Sequence, residues 1–233
     1  MIPGRAAWAI AAVMACGSLR GASGQTGFPF QNESLRYTVN WPSGLSLGDL
    51  TLSARQSALG WDFGMTIRAG IPGYAVADQY DSATNLQACS VKFARTISHG
   101  DRKSQDQTVF DYQQDVARRQ TVNGGRSEIP VSSCAHDALA FIYYARRQLG
   151  QGRVPPPEQI FYGPAYSAQL QYAGAQNIDI GEQPVTADRV LVYIKGPASD
   201  TQVEIFFARD PARTPLLVRV PFSVGTLSLE LVR

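Results

Sequence analysis

The stretch AHDALAFIYYARRQL, residues 135–149, carries the one helical pattern in a chain that otherwise reads as short strands and turns. Leu139, Ile142 and Tyr143 stand at offsets of 0, 3 and 4, which puts them on one helical face. Ala138, Phe141 and Ala145 carry the apolar surface round the side, so the middle of the helix is apolar nearly all round and belongs inside the protein. Asp137 suits the N-terminal cap, and Arg146 and Arg147 suit the negative C-terminal end. Gly150, Gly152 and the run Pro155-Pro156-Pro157 stop it, which predicts a helix over about 137–147.

On either side of this helix the pattern has a period of two. Leu35, Tyr37, Val39 and Trp41 alternate with polar residues, and Trp61, Phe63, Met65 and Ile67 do so again. Further strands are expected over 47–52, 74–80, 86–93 with Cys89 inside it, 108–112, 116–122, 159–162, 166–172 and 190–194. The stretches 203–208, 216–222 and 226–232 read as a closing antiparallel meander. Asn123-Gly124-Gly125 marks a hairpin turn, and His99 to Ser104 reads as an exposed loop. No repeat or Pro/Ser linker divides the chain, so 25–233 is expected to be a single β-rich domain.

Residues 1–24 read as a signal peptide, with Arg5 ahead of the apolar run AAWAIAAVMA and small residues at 21–24. The same stretch, VMAC, loosely resembles a lipobox, under which Cys16 would be acylated; cleavage near Ser23 or Gly24 is the preferred reading. An exported chain is therefore expected, in the periplasm or outer envelope, with no transmembrane span after cleavage. Removing Arg5 and Arg20 leaves nineteen basic side chains against nineteen acidic ones. That balance offers no basic stripe for nucleic acid. Cys89 and Cys134 remain as an even pair, which in an oxidising compartment reads as a disulfide, with two free buried thiols or a metal site as the alternatives.

Motifs with chemistry are sparse. Cys134 with His136 and Asp137 invites a thiolate reading, but residues two apart at a helix entry face differently and Cys89 is the expected disulfide partner, so a structural role is the preferred reading. His99, His136 and the cysteines match no compact metal spacing, and neither a metal nor a cofactor is expected. There is no nucleophile elbow, P-loop or dinucleotide fingerprint. Asp78, Asp81, Asp111, Asp115, Glu182 and Glu204 could supply a glycosidase-like carboxylate pair only if the fold brought two of them about 5–9.5 Å apart. The strand aromatics Tyr37, Trp41, Trp61, Tyr74, Tyr166 and Tyr172 are the candidate ligand-facing residues, lining a concave sheet face for an acyl chain or a sugar.

Three segments together resemble an exported bacterial family, domain-of-unknown-function family 3108. They are ESLRYTVNW at 33–41 followed by GDLTL at 48–52, HDALAFIYYAR at 136–146, and DPARTP at 210–215 with GTL at 225–227. The resemblance implies a large antiparallel meander curled into a half-barrel or open barrel, with Asp137 and Arg146 marking the ends of one central helix. It implies no activity and carries over no functional residue. The expectation is a non-enzymatic envelope protein that binds a lipid-like or glycan ligand or scaffolds an envelope assembly with a protein partner. The alternative is a hydrolase of an envelope polymer working through paired carboxylates.

Overall fold

The structure is a computed structural model that describes residues 32–71, 73–197, 200–222 and 225–232. The signal peptide expected over 1–24, and Cys16 within it, lie outside the described residues. Eight strands come first: β1 (Asn32–Asn40), β2 (Ser46–Gln56), β3 (Gly60–Ile71), β4 (Tyr74–Asn85), β5 (Ser90–His99), β6 (Arg102–Asp111), β7 (Val116–Thr121) and β8 (Arg126–Pro130). A two-residue β9 (His136–Asp137) leads into helix α1 (Ala138–Gly150). Then follow β10 (Glu158–Phe161), β11 (Ala165–Ile180), β12 (Gln183–Lys195), β13 (Asp200–Phe207), β14 (Pro215–Phe222) and β15 (Gly225–Leu231).

All fifteen strands form one sheet, in the order β8-β7-β6-β5-β4-β3-β2-β1-β15-β14-β13-β12-β11-β10-β9. The first and last strands pair at its centre, with Tyr37 opposite Leu231 and Val39 opposite Leu229. Two meanders therefore run outward from this seam as two wings. Every pairing is antiparallel except the short parallel contact of β9 with β10. The ends of the sheet do not meet each other, so the barrel stays open.

The helix accounts for the curl. Leu139, Ala140 and Tyr143 pack with Tyr37, Leu52, Phe63 and Phe93 of the first wing. Phe141, Ala145 and Leu149 pack with Ile160, Leu170, Val190 and Phe207 of the second wing. A helix that is apolar on opposite faces can bury both only if one sheet bends round it. Each fully buried Leu, Phe or Tyr of α1 contributes about 1.5–3 kcal/mol of transfer free energy, before entropy.

Both helix ends are built from local chemistry. Asp137 is the N-cap, and its Oδ1 accepts from the N–H groups of Leu139 and Ala140. At the other end Gly152 adopts φ +74°, a left-handed conformation that glycine takes without a Cβ clash. Its N–H donates to the Leu149 carbonyl and that of Arg153 to Gln148, the paired closing bonds of a Schellman motif.

Three local expectations are corrected. The helix runs on to Gly150, a turn past the predicted end, because the Schellman closure at Gly152 stops it and Gly150 itself remains helical. His99 to Ser104 is not a loop: Gly100 and Asp101 turn β5 directly into β6. Cys89 is not inside a strand either, since Asn85 Oδ1 accepts from the N–H groups of Gln87 and Cys89 and closes a turn over 86–89.

Candidate functional site

Two polar anchors, one hydrogen-bonded and one ionic, fix α1 inside the curl. At its N-terminus Asp137 has no exposed surface. Its Oδ2 accepts hydroxyl bonds from Ser82 and Ser90, each at 2.6 Å, and the Asp137 N–H donates to Ser90 Oγ at 2.7 Å. Burial pushes its pKa above the usual carboxylate range, and the two serine and two backbone bonds oppose that shift. The Cys89–Cys134 disulfide closes beside this anchor, with the two Cα atoms 4.9 Å apart. It ties the β4–β5 turn to the segment that enters the helix.

Nearer the C-terminus Arg146, fully buried, meets Glu33 of β1 through two parallel bonds of 2.6 and 2.7 Å. Its Nε donates to the carbonyls of Ala212 and Arg213 in the β13–β14 connection, and its guanidinium lies over the Tyr143 ring. Arg146 is thus not the end of the helix, as the resemblance implied. It is a rivet that joins the helix to the central seam of the sheet.

Between these anchors the helix stands clear of part of the sheet and leaves a cavity of about 240 Å³. Phe141, Ile142 and Ala145 form its helical wall. The floor comes from alternate positions of neighbouring strands, which point to one face: Val192 and Ile194 of β12, Val203, Ile205 and Phe207 of β13, Val218 of β14 and Leu229 of β15. Leu50, Leu52 and Met65 close it on the first wing. No charged side chain lines it. Tyr37 reaches it from β1, and its hydroxyl is taken up by a bond to the Pro215 carbonyl at 2.9 Å. Burial raises the Tyr37 pKa well above that of a free phenol, so the group stays neutral.

A model of the family DUF3108, described as a protein of unknown function, matches residues 36–232. The chain belongs to DUF3108. No curated protein matches it. Among solved structures it is similar to the crystal structure of a β-barrel-like protein of the domain of unknown function DUF1849 from Brucella abortus. That likeness has a TM-score of 0.62 at 7% identity, and covers 88% of this chain and 97% of the other. At such low identity it speaks for the fold alone.

Of the six aromatic residues read as ligand-facing, Tyr37 is the one that lines the cavity of this DUF3108 chain. Trp61 is buried in the core and stacks on Phe63. Tyr166 covers Gly196, where a Cβ would meet its ring at 2.0 Å. Trp41 caps the β1–β2 hairpin through its backbone, and Tyr74 is exposed at the start of β4. Tyr172 is half-exposed and donates to Asp188 Oδ1, beside Arg209 and Arg213. The cavity is thus mainly aliphatic. Its residues show in the sequence as positions of the helix and of expected strands, among them the apolar run 190–194 and the stretch 203–208, and nothing in those patterns marks a cavity.

Four of the six candidate carboxylates hold other partners. Asp78 accepts from Tyr80, His99 and the Ser98 N–H. Asp111 pairs with Arg118, and Glu204 with Arg189 and Arg219. Asp81 accepts from Gln79, Asp115 sits in a turn at φ +52°, and Glu182 lies exposed between β11 and β12. Among the described residues no three His, Cys, Asp or Glu side chains gather as a metal site. No described helix is long and apolar enough to cross a membrane.

Proposed function

We propose that this DUF3108 protein is an exported envelope protein that holds one apolar chain of a lipid-like molecule between α1 and the curved sheet. The observation that carries the reading is the cavity lining: aliphatic and aromatic side chains on every side, with no charged group. A sugar would leave its hydroxyl groups unpaired there, at about 1–3 kcal/mol each, so the lining favours a hydrocarbon over a glycan. At about 240 Å³ the space lies just below the range of about 300–1,000 Å³ usual for ligand pockets, which suits a single chain better than a multi-ring ligand. The apolar leader at 6–15 and the disulfide support export.

The test is a fluorescence titration with 11-(dansylamino)undecanoic acid. Wild-type protein is expected to bind it with a blue-shifted emission. Val203→Phe, which pushes a ring into the floor, is expected to weaken binding at least about tenfold while the far-UV spectrum and melting transition remain. Equal binding by a folded Val203→Phe protein, or no binding by wild type, would overturn the reading.

A further inference from the structure

A second cavity, of about 670 Å³, opens on the first wing, on the same face of the sheet as the helix. Register fixes its position. Met65 of the apolar cavity is opposite Tyr80, Tyr80 is opposite Arg95, Arg95 is opposite Asp106, and Asp106 is opposite Thr121. This single cross-strand row passes from apolar to charged, and Met65 and Arg95 are two strands apart, about 10 Å.

The charged end is assembled around Asp106, which is 4% exposed. Both arginines bond to one of its oxygens: Arg95 Nε at 2.7 Å and Arg119 at 3.0 Å, each to Oδ2. Asp106 Oδ1 has no donor among the described residues. The two arginines differ in what they have left. Arg95 also donates to the Tyr162 carbonyl and lies over the Tyr162 ring, 4.8 Å from its centroid. Gly163, at φ +77°, allows this approach, because a Cβ there would stand 2.3 Å from the guanidinium. Arg119 bonds through one nitrogen only, and its Nε has no acceptor among the described residues. One carboxylate between two guanidinium groups leaves a positive charge, and Arg119 carries the unused donors. The Ser104 hydroxyl and the Asn123 amide line the same cavity and hold no side-chain bond of their own among the described residues.

We propose that this cavity binds a phosphorylated polyol, its phosphate on Arg119 and its hydroxyl groups on Ser104, Asn123 and the free oxygen of Asp106. A guanidinium held in place by a carboxylate presents its remaining N–H groups as a fork suited to phosphate oxygens. Burying a carboxylate oxygen without a donor is unfavourable, and a ligand hydroxyl supplies the donor. The volume suits a ring of sugar size. The proposal extends past the chain-binding reading and stands without it, since the two cavities share no lining residue. The polyol phosphate has two sources, a free ester or the headgroup of a lipid.

Isothermal titration with myo-inositol 1-phosphate tests the site with no apolar chain present. Wild type is expected to bind it, and neutral myo-inositol at least about tenfold more weakly. Arg119→Gln is expected to lose about tenfold or more, Arg119→Lys to recover part of the loss, and affinity to fall as salt is raised. Ile97→Trp, which narrows the cavity and removes no charge, guards against a folding defect in the arginine variant and is also expected to weaken binding. Dioctanoyl phosphatidylinositol distinguishes the sources: tighter binding than the free ester supports a lipid headgroup, and equal binding supports a free sugar phosphate. No binding of myo-inositol 1-phosphate by wild type, or equal binding by folded Arg119→Gln and Ile97→Trp, would overturn the proposal whatever the undecanoic acid probe does.

Discussion

Asp137 shows how one side chain combines fold and electrostatics. It is a buried carboxylate that caps the helix with Oδ1 and binds Ser82 and Ser90 with Oδ2. Removing it leaves two serine hydroxyls and two helix N–H groups without their acceptor, so Asp137→Ala is expected to destabilise by about 2–3 kcal/mol in urea unfolding. Asp137→Asn keeps a cap and loses the charge. Because burial raises the folded pKa above the unfolded one, the folded state holds the proton more tightly. The penalty of the charge is absent below the unfolded value and grows as pH rises through the folded one. Stability of Asp137→Asn relative to wild type is therefore expected to rise as pH climbs above the ordinary carboxylate range of about 4. A constant difference would show that the hydrogen bonds fully offset the burial. Glu33→Gln tests the other anchor. It leaves Arg146 charged and buried without its carboxylate, and is expected to cost about 3 kcal/mol by the same measurement.

At the scale of elements, the disulfide and the helix entry act together. The Cys89–Cys134 bond spans a sequence separation of 45, which in the chain-entropy model is worth about 4 kcal/mol. The double variant Cys89→Ser, Cys134→Ser is expected to lose a comparable amount and to show faster amide exchange at Leu139 and Ala140 first, since their N–H groups depend on the adjacent cap. Much of this level was legible in the sequence. The period of two announced most of the strands, and the helix announced itself because Leu139, Phe141 and Tyr143 leave it no polar side to expose. What was not legible arose from contacts distant in the chain. The Glu33–Arg146 pair spans 113 positions, and Ser82 reaches Asp137 across 55. No local pattern marks an arginine as a buried rivet, and at the end of a helix it reads first as a partner for the dipole. The aromatic residues misled for a related reason. Strand aromatics fill a core as readily as they line a site, and here Trp61 and Tyr166 fill.

At the scale of the molecule, one sheet folds round one helix and divides its inner face. The part beneath Phe141, Ile142 and Ala145 is hydrocarbon, and the part beyond Tyr80 is charged. This division follows from the topology. The β1–β15 seam brings the apolar strands of both wings to the centre, while the arginine and aspartate positions of β5, β6 and β7 fall towards one edge. An apolar chain held in the central cavity would touch the methyl groups of its lining. Methyl NMR of Ile-, Leu- and Val-labelled protein titrated with dodecanoate addresses it directly. Shifts are expected at Ile142, Ile205, Val218 and Leu229, which line the cavity, and none at Ile178, Leu216 and Leu217, which pack in a separate cluster. Shifts confined to exposed methyls such as Leu45, Leu59 and Leu86, or no shifts at all, would contradict it.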